Sequence, residues 1–176
     1  MFKYWLLATR PKTLVASVLP VTAGYLLAWD QSKDVSIFIG LLCLIYCLLI
    51  QIGTNLANDY YDFMKGADEK RTNAPERMVS SGIINPKSML FATYLVLFAG
   101  FVVGIFIMEA VHASRLLLLV GFLSFICGIG YTGGPYPLAY NGLGDLFVLI
   151  FFGFVGVEVT HYVIVLSAGQ PWQPNW

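Results

Sequence analysis

The stretch VSIFIGLLCLIYCLLIQIGTNLANDYYDFMKGAD, residues 35–68, decides the fold. It begins as an almost unbroken apolar run and ends in Asn55, Asn58, Asp59, Asp62, Lys65 and Asp68. A membrane-spanning helix takes about 20 apolar residues, and this run is longer, so its polar end projects to or beyond the interface. If the helical path continues, Asn55, Asn58, Asp59 and Asp62 fall within about one third of the circumference. Carboxylates so close together repel unless a proton or a cation neutralises them, and a hard cation such as Mg2+ takes oxygen ligands, often alongside substrate phosphates. A metal-bound diphosphate is the first expectation. Capping alone does not explain the pattern, because acids at a helix C-terminus oppose the macrodipole.

Outward from this stretch most of the chain is apolar. Of 176 residues, 58% are hydrophobic and 11% charged, against about 25% charged in a soluble domain, so the expected class is an all-α, polytopic membrane bundle. Five spans are expected: from Arg10 to about Trp29 with Pro20 inside, from Val35 into the acidic stretch, Ser88 to Met108, Leu116 to about Ile129, and Asp145 to Leu166. Gly100 and Gly104 form a small-xxx-small spacing suited to close helix packing. Residues 1–176 form a single membrane domain in this reading, embedded in lipid.

The net charge is zero, but eight of the ten Lys and Arg residues lie before Thr13 or between Lys65 and Lys87. With alternating spans, the amino terminus, the 65–87 loop and the 130–144 loop share one face, and that charge bias makes it the cytoplasmic face of the cell membrane. The charge distribution offers no basic surface for nucleic acid. Cys43, Cys47 and Cys127 all lie in apolar runs and read as free buried thiols.

The charged loop complements the acids. Lys65, Lys70, Arg71 and Arg77 are candidates for diphosphate oxygens, arginine through bidentate contacts and lysine as a point charge; the positive-inside bias alone would also place cations here. Glu158 and His161 lie three residues apart in the last span, either as an inward-turned pair or as a substrate contact. Tyr131, Tyr136 and Tyr140 belong to a turn-rich loop and serve either as interfacial aromatics or as pocket walls shielding a carbocation.

Four motifs carry a family resemblance: the acidic stretch, Arg10-Pro-Lys-Thr-Leu with Ser17 and Pro20-Val, Arg77-Met-Val-Ser-Ser-Gly82, and Tyr131-Thr-Gly-Gly-Pro-Tyr-Pro-Leu. Together they resemble the UbiA superfamily of intramembrane prenyltransferases, within it the branch that prenylates 1,4-dihydroxy-2-naphthoate. The resemblance implies an enzyme that uses Mg2+ to ionise a polyprenyl diphosphate and joins the prenyl group to an aromatic acceptor. In this branch carbon dioxide is lost and demethylmenaquinone is formed, a step of menaquinone biosynthesis. On this basis Asp59, Asp62, Lys65 and Arg77 are expected to be catalytic, and Lys70, Arg71, Tyr131 and Tyr136 to bind substrate. Asn55, Asn58, Asp59, Asp62 and Asp68 are the expected metal set, with Gly66 standing where the general family pattern has its last aspartate.

The family has about nine helices and a second aspartate-rich motif. Between Gly100 and Trp176 the only acids are Glu109, Asp145 and Glu158, so the chain is expected to correspond to an amino-terminal part and to need a carboxyl-terminal half for turnover. The alternatives are a non-catalytic remnant or subunit, and a cation-coupled transporter. A transporter calls for acids deep in several spans, whereas here they cluster at one mouth.

Overall fold

A computed structural model describes residues 1–67 and 77–173. Asp68, Lys70 and Arg71 lie outside the described residues. Helix α1 (Phe2–Ala8) is followed by α2 (Pro11–Gln31), α3 (Ile37–Met64), α4 (Pro86–Ala110) and α5 (Leu116–Gly130). After a short 3-10 turn (Leu138–Asn141), α6 (Gly144–Val148), a π-helical stretch (Leu149–Val155) and α7 (Gly156–Ser167) run on as one rod. The described residues contain no strand.

Local chemistry sets the helix starts. Arg10 adopts a left-handed φ of 52°, which separates α1 from α2, and Pro11 opens α2 where a missing N–H does no harm. The Ser36 side chain caps α3 by accepting from the Ile39 N–H at 3.3 Å, and Asn85 caps α4 by accepting from Lys87 at 2.9 Å. Helix α2 remains continuous through Pro20.

Among the described residues four helices are long and apolar enough to cross a membrane: Pro11–Gln31, Ile37–Met64, Pro86–Ala110 and Gly144–Ser167. These match four of the five expected spans. The other, Leu116–Gly130, has 15 residues, about 22 Å at 1.5 Å per residue, less than the ~30 Å hydrocarbon core.

Close packing uses glycines. Gly100 and Gly104 of α4 receive Ile50 and Tyr46 of α3, with 3.2 Å and 3.0 Å from a Cβ built on each glycine. The tightest backbone approach joins α2 to α7, where a Cβ on Gly24 would stand 2.5 Å from the Val157 carbonyl oxygen. A backbone atom cannot swing aside, so Gly24→Ala is expected to force the helices apart and destabilise the fold by about 1–3 kcal/mol. Thermal unfolding in detergent checks this, and an unchanged midpoint would show that the contact relaxes freely.

Two hydrophobic clusters form the interior. One joins Val21, Ala28, Ile39, Cys43, Ile107 and Ile164 across α2, α3, α4 and α7. The other, Ala8, Leu56, Met78, Val79, Ile84 and Met89, fastens residues 78–84 onto the polar end of α3. That second cluster brings the loop back over the acids.

Candidate active site at the polar end of α3

The last turns of α3 are buried although they are polar: Asn55, Asn58, Asp59 and Asp62 are each less than a tenth exposed, and Asp62 is fully enclosed. Buried carboxylates need partners, and each has found them in a segment remote in sequence. Asp59 accepts the backbone N–H groups of Met78 and Val79 through its two oxygens, both at 3.1 Å. Asp62 forms an ion pair with Arg77 and accepts the Tyr140 hydroxyl. Arg77 also donates to the Asn58 carbonyl and is itself buried. A guanidinium, two carboxylates and a phenol thus close around one end of α3.

The 131–143 loop is pinned to the same place. Thr132 Oγ1 donates to Asn58 Oδ1 at 2.7 Å, while Lys65 Nζ donates to the carbonyls of Thr132 at 2.7 Å and Gly134 at 3.1 Å. The Lys65 ammonium also lies 5.5 Å from the Tyr140 ring centroid, a cation–π distance. Asn55 reaches the other way: its amide nitrogen donates to the Thr9 carbonyl at 2.8 Å and to Thr13 Oγ1 at 2.9 Å, tying α1 and α2 to α3.

Of the residues singled out in the sequence, Asn58, Asp59, Asp62, Lys65 and Arg77 come together. The loop tyrosine against the acid is Tyr140, whereas Tyr136 is 62% exposed. Tyr131 lines a cavity below the site. Thr132 was not singled out; its partner Asn58 is 74 residues away, and no spacing rule reaches that far. Glu158 and His161 have their own setting at the opposite end of the bundle. There His161 Nε2 meets Gln31 Oε1 at 3.0 Å, Nδ1 accepts from the Trp172 indole at 3.3 Å, and Glu158 stands 4.0 Å from Nδ1. Gln31 in turn donates to the Pro171 carbonyl at 3.0 Å. His161 is fully enclosed by these partners, whereas the Glu158 side chain is 27% exposed.

Below the acids opens a cavity of about 370 Å³, bounded by α2, α3, α4, α5 and the π-helical stretch. On α3 its wall runs from Asn58 down to Cys43, about 22 Å of helix rise, with Asn58, Asn55, Thr54 and Gln51 in the upper part and Ile50, Cys47, Tyr46 and Cys43 below, while the cavity as a whole is mostly apolar. The free thiols Cys43, Cys47 and Cys127 all face it.

The donor set suits a hard cation by chemistry, since Asn58, Asp59 and Asp62 offer only oxygen through their side-chain acceptors. No group of three or more His, Cys, Asp or Glu residues gathers as a metal cage among the described residues. Because carboxylate oxygens have several lone-pair directions, Asp59 can keep its backbone hydrogen bonds while binding a cation. At Asp62 a cation competes with Arg77.

A helical membrane protein with paired buried acids at the mouth of an apolar cavity is the class that fold and geometry define. The UbiA prenyltransferase family model matches residues 17–171, and the chain belongs to that family. It is 34% identical over 166 residues to a 1,4-dihydroxy-2-naphthoate octaprenyltransferase of Haemophilus influenzae, covering 92% of this chain and 54% of the relative. A protein of the same name from Escherichia coli is 38% identical over 163 residues, covering 90% and 53%. The UbiA prenyltransferase domain-containing protein 1 of Danio rerio is 32% identical over 163 residues, covering 92% and 47%. The chain spans about half the length of these curated relatives. No solved structure matches it significantly.

Proposed function

We propose that this chain supplies the diphosphate-binding portion of a Mg2+-dependent polyprenyltransferase of menaquinone biosynthesis, held in the cell membrane with the acidic site at the cytoplasmic face. The reaction breaks the bond between prenyl C1 and the diphosphate oxygen. A carbon–carbon bond forms at the ring carbon of 1,4-dihydroxy-2-naphthoate that loses carbon dioxide, giving diphosphate and the prenylated dihydroxynaphthalene, the quinol form from which demethylmenaquinone arises by a separate two-electron oxidation. The observation that carries this reading is the burial of Asp59, Asp62 and Arg77 at the end of α3 whose Asn55 and Asn58 line a mostly apolar cavity. An acid pair and a cation bind the charged end of such a substrate, and the apolar wall suits its hydrocarbon.

In this proposal Asn58, Asp59 and Asp62 hold Mg2+, with Asp68 and Asn55 as further oxygen donors. The ion's contribution is to offset charge on the departing diphosphate. Arg77, already at Asp62, binds a diphosphate oxygen, and Lys70 and Arg71 of the same loop add charge. Lys65 positions the 132–134 backbone and the Tyr140 ring, while Tyr131 and Tyr136 belong to the loop that shields the developing cation from water. A second acidic cluster, which the family pattern places in a carboxyl-terminal half, completes the diphosphate site; the 176-residue chain alone is therefore expected to turn over little.

Farnesyl diphosphate binding to the purified chain in detergent, with Mg2+ and with EDTA, tests the reading. Binding should require Mg2+, and Asp62→Asn should weaken it at least about tenfold, the scale of losing one charge-assisted contact. Binding of Mg2+ with no affinity for the diphosphate would favour an ion-handling protein and overturn the proposal.

A further inference from the structure

The cavity wall is not uniformly apolar, and its polar groups fall at one depth. The hydrogen bond from Asn55 to Thr13 sets the register of the antiparallel α2 and α3. One turn further into the bundle lie Ser17 on α2 and Gln51 on α3, both lining the cavity. A Cβ built on Gly128 of α5 would stand 2.7 Å from Thr54 Oγ1, which puts Ser124, one turn deeper on α5, at the same level. Gly156 packs on Pro20, a Cβ there lying 3.1 Å from the proline Cβ, so the π-helical Phe152 one turn earlier comes opposite Ser17. Phe151 and Phe152 both face the cavity. Hydroxyls and an amide therefore surround one layer of the cavity, with phenyl rings on the remaining side.

Ser17 distinguishes this layer from incidental polarity. Its side chain is 1% exposed, faces the cavity, and its Oγ has no hydrogen-bond partner. Buried hydroxyls are nearly always paired, so one left open toward a cavity points to a group that arrives with a ligand. Ser124 Oγ donates to the Val120 carbonyl at 2.8 Å, which leaves its oxygen as an acceptor toward the same space. The layer has hydrogen-bonding capacity but no formal charge. It suits a neutral oxygen substituent on an aromatic ring and gives nothing to a saturated hydrocarbon chain.

We propose that Ser17, Gln51 and Ser124 recognise a ring hydroxyl of the aromatic acceptor, about one helical turn below Asn55 and about two to three turns below the Asp59 and Asp62 carboxylates, while Phe151 and Phe152 flank the ring. The proposal rests on the transferase reading, to which it adds the residues that select an oxygenated ring. A ring held at that depth lies between the diphosphate end of the site and the deeper apolar wall.

The test compares three probes on the detergent-solubilised 176-residue chain: 1,4-dihydroxy-2-naphthoate under anaerobic conditions, 2-naphthoate, which lacks both ring hydroxyls, and farnesyl diphosphate with Mg2+. The unsubstituted chain should prefer the dihydroxy probe to 2-naphthoate. Ser17→Ala should weaken the dihydroxy probe about 3- to 10-fold, the range for a neutral hydrogen bond, and leave 2-naphthoate and farnesyl diphosphate within about twofold. Ser17→Ala combined with Gln51→Met should abolish the preference between the two rings. Equal affinity for both rings in the unsubstituted chain, or equal weakening of both by Ser17→Ala, overturns the assignment. Ring selectivity without any affinity for farnesyl diphosphate would instead sink the transferase reading and leave the ring layer standing.

Discussion

Asp62→Ala is expected to destabilise the fold by about 3–5 kcal/mol, the range for breaking a buried ion pair from one side. The reason lies in what remains. Arg77 is buried against Asp62, whose own side chain is fully enclosed, so removing the carboxylate strands a guanidinium away from water and deprives the Tyr140 hydroxyl of its acceptor. Asp62→Asn keeps the shape and one acceptor, and its loss should be smaller. The double variant Asp62→Ala with Arg77→Met should regain much of the stability, because an apolar side chain fills the space without a charge to neutralise. Unfolding in detergent followed by circular dichroism measures all three. If the single alanine variant loses less than about 1 kcal/mol, as an exposed pair would, the pair does not hold the loop to α3.

Asp59→Ala should cost a comparable amount by a different route. Its hydrogen-bond donors are neutral, the Met78 and Val79 N–H groups, on residues that are 4% and 2% exposed, and the Arg77 and Arg10 charges act on it as a smaller contribution. Two buried donors left unpaired at about 1–3 kcal/mol each give about 2–6 kcal/mol in all. The readout that separates this from a general loss of packing is local. Amide exchange at Met78 and Val79 should be slow in the unsubstituted chain and fast in Asp59→Ala, with the middle of α4 still protected. Slow exchange at both amides in the variant would mean that something other than Asp59 satisfies them.

Asp59 and Asp62 thus share a helix face but have different duties toward the fold. Asp62 is matched by charge, Asp59 by oriented backbone dipoles. Under the proposed function a substrate anion or a cation entering the site would meet one carboxylate already paired with an arginine, and another held by the returning loop.

Much of this was legible in residues 35–68, because helical periodicity is local. The 3.6-residue repeat carries Asn55, Asn58, Asp59 and Asp62 onto one face, and a run too long for the bilayer places that face at a mouth. The glycine spacing at 100 and 104 likewise named a real helix contact. Four spans follow from apolar length alone. Helix α5 has the bounds expected of it, Leu116 to about Ile129, but its 15 residues are fewer than the about 20 that cross a bilayer.

The partners of those residues were beyond any local rule. That Arg77 closes on Asp62, that Tyr140 rather than Tyr136 reaches the acid, and that Asn55 turns toward Thr9 and Thr13 depend on how loops return over α3. Those returns are set by the burial of Met78, Val79 and Ile84 against Leu56 and Met89. The same holds for Ser17, which is an ordinary helix serine in sequence and becomes a lone buried hydroxyl only when α2, α3, α5 and the π-helical stretch enclose a cavity around it. The sequence by itself determined the helices and which side chains each presents on a face, through hydrophobic length and period. Tertiary structure alone decided which of those faces meet, because the contacts that pair a charge or leave a hydroxyl open join residues far apart in the chain.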